Sequence, residues 1–577
     1  MRVTNGAELV VDTLEQLGVS HVFGLPGTQN VQLFDALRRS PLRTIVTSDE
    51  MAAAFAACGY ARASGRVGVV TTIPGPGFTY ALTALAEAHA DSAPLLLLTL
   101  RQPDTGKHFQ LQRIDQATIA APLAKSVQFA EDIATLGTTI EQACADCLRG
   151  EPGPVLLEIA AHLMTASAQR HVANAGSICD GHVSALADAA FNEPLFEEIA
   201  VRLDAAARPL LFAGQGAQGA QAAIRKYCAA RSFPVLTTCS GRGVINENHA
   251  LALPRDFSFG LGRVVPEVIA EADLILVLGC KFAANGAAGF TLRLPEDRLI
   301  KVDSSSVVLN GNYPARWQLV ATCEEFMARL LRRPSTSLTA SSWGETHITE
   351  LQRRLAEERE QAVPHEPVQV GVGPVRQFLR VMSKSLPDDS IITTDSGFNQ
   401  ALTRHYITVR RARGVIAPTD FQSMGFGLPA ALGAALAAPA TTIVACIGDG
   451  GLMQTATEML TARREDIALT IVVFNDGMFG YIQRQQIDKF GVTSGIKLGN
   501  VDLAALTAAF DCEYFDAAEA MSDIARIAAL PGVKLIDLKL HDPASVARQA
   551  VQGRLRESTH RALGPRIIPW LKRLLKR

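Results

Sequence analysis

The amino-acid sequence predicts an α/β protein of three successive open domains, each built on a parallel sheet. Three observations predict it. Short β-like runs alternate with helical patterns along most of the chain. Two stretches rich in polar and small residues interrupt that alternation, and 577 residues is the length of about three or four units of ~150 residues. The composition, 48% hydrophobic and 19% charged, is that of a globular protein, and with 45 Gly and 28 Pro scattered along the chain, collagen-like and disordered classes drop out. Lys+Arg 55 against Asp+Glu 57 leaves a net charge of −2, so no basic field advertises nucleic-acid binding.

The first domain is expected over residues 1–165, with strands at His21–Phe23, Arg43–Thr47, Val67–Thr72 and Pro94–Leu100 and helices at Val31–Arg38, Met51–Ser64 and Thr79–Asp91. Ala166–Glu193 reads as a linker. The second domain spans 194–331, with strands at Pro209–Ala213, Val235–Thr238, Leu274–Leu278 and Arg298–Val302. Pro334–Pro374 is a second connection carrying one charged helix, Glu350–Gln361, and the third domain covers 375–540. The longest apolar run, Ala93–Leu100, is far short of the ~20 residues that cross a bilayer. The first residues have apolar positions at helical spacing broken by Glu8, Asp12 and Glu15, unlike a signal-peptide core, so a cytoplasmic protein is expected. Cys144 and Cys147 have no second pair and are not read as a metal site.

The strongest chemical signal is in the third domain. The apolar strand Thr441–Ile447 runs into Gly448-Asp449-Gly450-Gly451, a helical segment Leu452–Arg464 follows, and a second strand, Ala468–Phe474, ends in Asn475-Asp476-Gly477. Two polar loops thereby meet at one end of adjacent parallel strands. Glycines admit a phosphate to the backbone, the helix start supplies N–H donors, and Asp449 and Asp476 can hold a hard cation beside it, which suits magnesium. Taken singly, each loop could be an ordinary helix start or β-turn. The 24 residues between Gly450 and Asn475 join them into one site.

With that spacing the sequence resembles the thiamine diphosphate enzymes of the acetolactate synthase, pyruvate oxidase and benzoylformate decarboxylase group, whose signature is GDG, about two dozen residues, then NN. Asn-Asp replaces Asn-Asn here, so the resemblance makes the Asp476 carboxylate the second metal ligand after Asp449, and the Met478 main-chain carbonyl the third. Ser423-Met424-Gly425-Phe426-Gly427-Leu428-Pro429-Ala430-Ala431 is similar to the family's MGFGLPAA segment, which makes Met424 the residue that bends the cofactor into a V. The three domains become pyrimidine-binding, central and diphosphate-binding.

In the first domain, Phe23-Gly24-Leu25-Pro26-Gly27 resembles the family's FGxPG loop, and Gly75-Pro76-Gly77 follows at a similar spacing, which puts Pro26, Gly27 and Gly75 at the cofactor. Glu50 opens a helix whose next seven residues are apolar or small, so its carboxylate is expected in a desolvated site that raises its pKa. The resemblance gives Glu50 the N1′ atom of the aminopyrimidine, favouring the tautomer that removes the thiazolium C2 proton. Gln112 aligns with an active-site Gln of acetolactate synthases, although Gln110 stands two residues away. The halves of each site would come from different subunits, implying a homodimer or homotetramer.

Gly214-Gln215-Gly216-Ala217-Gln218-Gly219 matches GxGxxG but lacks an acidic partner about 20 residues on, which removes NAD. Related enzymes use the central domain for FAD. The segment Gly279-Cys280-Lys281-Phe282-Ala283-Ala284-Asn285 lacks the carboxylates and second Arg of their GxRFDDR, so FAD is not implied. Gln483-Arg484-Gln485-Gln486 stands where branched-chain acetolactate synthases have RQWQ. The expected activity is thiamine diphosphate- and Mg2+-dependent decarboxylation of a 2-oxo acid with carboligation. A decarboxylase releasing an aldehyde, an FAD-dependent pyruvate oxidase and a non-catalytic paralogue are the alternatives. Residues 546–577 carry nine Arg or Lys and one Glu, with Ile567, Ile568, Trp570, Leu571, Leu574 and Leu575 on one helical face. Such a tail could lie on an anionic membrane, but docking on its own oligomer or solvation is the preferred expectation.

Overall fold

A computed structural model describes residues 4–173, 187–333, 341–361, 373–499 and 501–540. The expected basic tail, 546–577, lies outside them. Three sheets follow one another along the chain. The first holds β1 (His21–Gly24), β2 (Arg43–Ile45), β3 (Gly68–Thr72), β4 (Leu95–Arg101), β5 (Ser126–Ala130) and β6 (Pro154–Ala160), in the spatial order β2-β1-β3-β4-β6-β5. The second holds β7 (Pro209–Ala213), β8 (Val235–Thr237), β9 (Leu274–Leu278), β10 (Leu299–Asp303) and β11 (Trp317–Val320), in the order β11-β10-β9-β7-β8. The third holds β12 (Ile391–Thr394), β13 (Val415–Ile416), β14 (Ile443–Gly448), β15 (Leu469–Asn475), β16 (Glu513–Asp516) and β17 (Val533–Lys539), in the order β13-β12-β14-β15-β17-β16.

The paired strands run parallel within each sheet. Central strands such as β3, β6 and β9 are buried along their whole length. That is why β9, for example, reads as unbroken Leu, Ile and Val rather than as alternation. Cys144 and Cys147 lie in the apolar core of the first unit. The outer two sheets share one strand order, and in each the order reverses beside the first strand, which opens a crevice at the carboxyl ends.

Two helices join the outer units. Glu50–Ser64 follows β2, and Gly427–Ala437 holds the same serial place after β13. A Cβ on Gly59 would lie 2.2 Å from the Ala430 carbonyl oxygen, and one on Gly433 would lie 1.8 Å from that of Ala56. The two backbones therefore touch through glycine and alanine, and no larger residue fits at the crossing. Four carboxylates reinforce the contact. Asp91 accepts the Thr419 and Asp420 N–H groups at 2.8 and 3.1 Å and an Arg62 N–H at 2.9 Å. Glu87 accepts the Ser423 N–H at 3.0 Å, Glu458 the Ser48 N–H at 2.9 Å, and Glu465 an Arg43 N–H at 3.0 Å.

The central sheet is tied to the third unit by a buried ion network. Arg404 grips Asp256 through two bonds of 2.8 and 2.9 Å, and Arg242 pairs with Glu247 while donating to the carbonyls of Arg404 and Ile407 at 2.6 and 3.0 Å. His405 sits in the same region, where burial and then the Arg359 guanidinium lower its pKa to about 4.

Two helices are among the departures from the sequence expectations. The helical segment expected over Leu452–Arg464 is two helices, Asp449–Thr455 and Glu458–Arg464. The first starts directly on Asp449, and the second begins with Glu458, which reaches Ser48. The connecting helix expected at Glu350–Gln361 starts earlier, at Glu345, because Ile348, Leu351 and Leu355 pack on the central core.

Gly433→Ala is expected to destabilise the protein by about 1–3 kcal/mol, whereas Gly153→Ala, whose nearest neighbour, the Lys125 Cβ at 3.3 Å, needs to give by only a few tenths of an ångström, costs less than about 1 kcal/mol. Thermal melting of both variants checks the difference. A second expectation concerns acid. His405 is favoured neutral in the folded state, so its contribution is complete above pH 6.5 and declines as pH falls toward about 4. Over that window the melting temperature of His405→Gln should fall less steeply than that of the parent.

Candidate active site

One half-site forms at the carboxyl ends of β1 and β3. The loop after β1 carries Pro26, which is exposed, and Gly27, whose N–H donates to Asn30 Oδ1 at 2.7 Å. The fully buried Asn30 amide also donates to the Leu25 carbonyl at 3.1 Å, which staples the loop. A Cβ on Gly27 would lie 2.5 Å from Ile73, and one on Gly77 would lie 2.8 Å from Ile73 and 2.5 Å from Glu50 Oε1. The loops after β1 and β3 therefore close around Ile73 and leave room for the Glu50 carboxylate. Asp49 takes the capping role at this helix start, accepting the Ala52 N–H at 2.8 Å, so Glu50 is not spent on the cap. Glu50 is half-buried, and burial raises its pKa above the usual carboxylate value.

Gly75 adopts φ +70° and lies against Gln112, whose carbonyl oxygen would be 2.8 Å from a Cβ there. Gln112 itself has φ +56° and accepts a hydrogen bond from Gln29. Gln110 is bonded instead within its own loop, to Asp104 and the Lys107 carbonyl at 3.1 and 2.9 Å. Of the two glutamines, Gln112 is the one brought to Gly75. Gln116 supports the arrangement from beneath, with its carbonyl oxygen accepting the Gly75 N–H at 3.2 Å and its amide donating to Glu158 at 2.6 Å.

The second half-site lies at the carboxyl ends of β12, β14 and β15. Asp449 is the first residue of its helix and accepts the Gly450 and Gly477 N–H groups at 2.8 and 2.7 Å. The second of those bonds ties the loop after β15 to the loop after β14. Asp476 accepts the Met478 N–H at 3.3 Å and shares a hydrogen bond with Asp449. Burial, and next the Asp449 charge, push the Asp476 carboxyl up; burial raises Asp449 as well. Two desolvated carboxyls side by side, with the Met478 carbonyl nearby, are an oxygen donor set for a small dication, which would replace the shared proton.

Met424, Gly448, Asp449, Gly450, Gly451, Asp476 and Met478 line one cleft with Phe398, Phe479, Tyr481 and Ile482. The Met424 methyl would be 3.4 Å from a Cβ on Gly450. Asn475 does not line the cleft; its amide donates to Asp537 on β17 at 3.0 Å. Gly480 is required beside Asp476, whose Oδ2 would be 2.0 Å from a Cβ there. Among the described residues, this cleft is lined by residues 396–540 alone, and Glu50 is not part of it.

Sequence reasoning missed the carboxylates that hold the Met424 loop. Asp395, directly after β12, accepts the Gly425 and Phe426 N–H groups at 2.9 and 3.2 Å, and burial pushes its pKa up to about 7. Its signal was present: Asp395-Ser396-Gly397 is a third polar, glycine-bearing loop at the end of a strand. Glu87 and Asp91 had no such signal, because the backbone groups they hold are more than 300 residues away.

Comparison with known proteins agrees with this geometry. The N-terminal thiamine pyrophosphate (TPP)-binding domain of thiamine pyrophosphate enzymes matches residues 4–119, their central domain 196–330 and their C-terminal TPP-binding domain 395–538. Acetolactate synthase isozyme 1 large subunit of Escherichia coli is 28% identical over 93% of this chain and 94% of its own length. A probable 2-ketoarginine decarboxylase of Pseudomonas aeruginosa is 30% identical with the same coverage, and the acetolactate synthase large subunit of Lactococcus lactis is 28% identical over 84% of this chain and 82% of its own. Three sheets in the family's order, with paired carboxyls on one half-site and a helix-leading glutamate on the other, make this chain a member of the thiamine diphosphate-dependent enzymes, acetolactate synthase-like in kind.

Proposed function

We propose that the protein decarboxylates a 2-oxo acid of the pyruvate kind, with thiamine diphosphate and Mg2+, and joins the remaining acyl unit to a second carbonyl. The observation that carries the reading is the Asp449–Asp476 pair beside the Met478 carbonyl, in a cleft that Met424 borders. Asp449, Asp476 and the Met478 carbonyl would hold the cation, and the N–H groups at the start of the Asp449–Thr455 helix would face the diphosphate. Bound thiamine diphosphate supplies the nucleophilic carbon and the electron sink that decarboxylation needs. Glu50 would hold a proton at N1′ of the aminopyrimidine, a task suited to a carboxyl whose proton affinity burial has raised. Gln112, hydrogen-bonded to Gln29 beside Gly75, would face the substrate.

The working unit is a homodimer or a higher assembly. What supports this is that the cleft at Asp449 receives no residue of the Glu50 half-site from its own chain. Exposed apolar side chains, Tyr481 and Ile482, also stand at its rim. FAD is left out of the reading. In the cleft lined by all three units, Arg62 and Lys281 are already paired with Asp91 and Glu151, and the Glu324 charge acts on Arg413, while Asp303 and Asp420 add further carboxylates. A dinucleotide's diphosphate would find two of those three cations already in ion pairs.

A second reading, decarboxylation with release of an aldehyde, is favoured by the 30% identical decarboxylase relative and by Gln485 at the position of the family's Trp. Purified protein given thiamine diphosphate, Mg2+ and a panel of 2-oxo acids including pyruvate separates the two. An acyloin such as acetolactate is the expected product, an aldehyde would favour the second reading, and no CO2 from any acid would sink both. Glu50→Gln should lower turnover by roughly tenfold or more while thiamine diphosphate still binds, as titration calorimetry would register. Asp476→Asn keeps an oxygen ligand but removes a charge. It should therefore raise the Mg2+ concentration for half-activation several-fold, with kcat within about threefold of the parent.

A further inference from the structure

β12 ends at Thr394, and the next residue, Asp395, is a carboxylate only 1% exposed. Its two oxygens serve different neighbours. Oδ1 accepts the Ser396 and Phe426 N–H groups at 3.0 and 3.2 Å, and Oδ2 accepts the Gly425 N–H at 2.9 Å. The same Oδ2 fills the space opposite Gly451, 1.7 Å from where a Cβ would stand. Asn399, one helical turn on, donates to the Asp395 carbonyl at 2.8 Å and to the Cys446 carbonyl on β14 at 3.0 Å, which fixes the end of β12 against its neighbour. One buried side chain thus stands between the turn that follows Met424 and the helix start that carries Asp449 and Gly450. Gly425 adopts φ +78°, so this turn has little conformational choice of its own once its N–H groups are held.

We propose that Asp395 is a positioning residue, a strut that sets the distance from Met424 to the Asp449–Gly450 end of the site and so sets how a bound cofactor is bent. The proposal rests on the thiamine diphosphate reading. It also gives the last glycine of Gly448-Asp449-Gly450-Gly451 a role apart from phosphate approach: Gly451 is bare because the strut occupies its side-chain space. An amide cannot replace the carboxylate, because its NH2 would have to face either the Gly425 N–H or the Ser396 and Phe426 N–H groups.

The test uses full-length protein freed of cofactor, with Mg2+ present. Inorganic diphosphate needs only the Asp449 end of the site, whereas thiamine diphosphate needs that end and the Met424 bend together. By titration calorimetry, Asp395→Asn is expected to weaken thiamine diphosphate at least about tenfold and to leave inorganic diphosphate within about twofold. Asp395→Glu keeps the charge but lengthens the strut by one methylene and should reproduce that split, which keeps the test alive if the first variant does not fold. Equal weakening of both ligands would make Asp395 a purely structural residue, and no weakening of either would dismiss it; both results overturn the strut. Failure of the parent protein to bind thiamine diphosphate would overturn the functional reading itself, and the strut with it.

Discussion

The helix crossing at Gly59 and Gly433 is the constraint on which the rest of the structure depends. A carbonyl oxygen occupies the Cβ position on each side, so the two backbones can neither separate nor slide without losing contact along Glu50–Ser64 and Gly427–Ala437. Glu50 heads one helix, and Met424 lies just ahead of the other. Their places in the molecule are therefore set by residues with almost no side chain. The faces that meet are rich in alanine, so each residue buries little apolar area; the close approach of the chains compensates by bringing many atoms into van der Waals range.

Around that crossing the protein uses buried carboxylates where loops must be held. Asp91, Glu87 and Asp395 accept backbone N–H groups from residues 419–426, a segment whose own hydrogen bonds would otherwise go unmade in the interior. Desolvation makes such carboxyls costly unless fully engaged. Asp91 meets this with Arg62 and two N–H groups, whereas at Glu87 burial, and next the Asp91 charge, push the carboxyl up to about 8. The loop that carries Met424 is thereby fixed from the first unit and from the third.

Much of the fold was legible in the sequence because central parallel strands are buried on both faces and stand out as apolar runs; β7 and β9 match the expected residues throughout. Three of the edge strands were not legible. β5 is largely half-exposed, β13 has two residues and β16 begins with an exposed glutamate, so none carries an apolar run. In the site, the loop motifs around Asp449 and Asp476 were readable because their partners are near in sequence. The strut at Asp395 and the staple at Asn30 depend on folded geometry. The role of Gly451 was hidden because a glycine bared for a carboxylate looks the same as one bared for a phosphate.

The first and third sheets share one strand order, and the two crossing helices hold the same serial place in each. Their contact is therefore of the kind that two identical subunits make about a two-fold axis, yet both partners belong to one chain. Covalent linkage fixes the ratio of the halves at one to one and frees equivalent positions to differ. One helix can begin with a half-buried glutamate while its counterpart begins after a methionine and a glycine turn. Two identical half-length chains would have to carry both features, or neither, on each side.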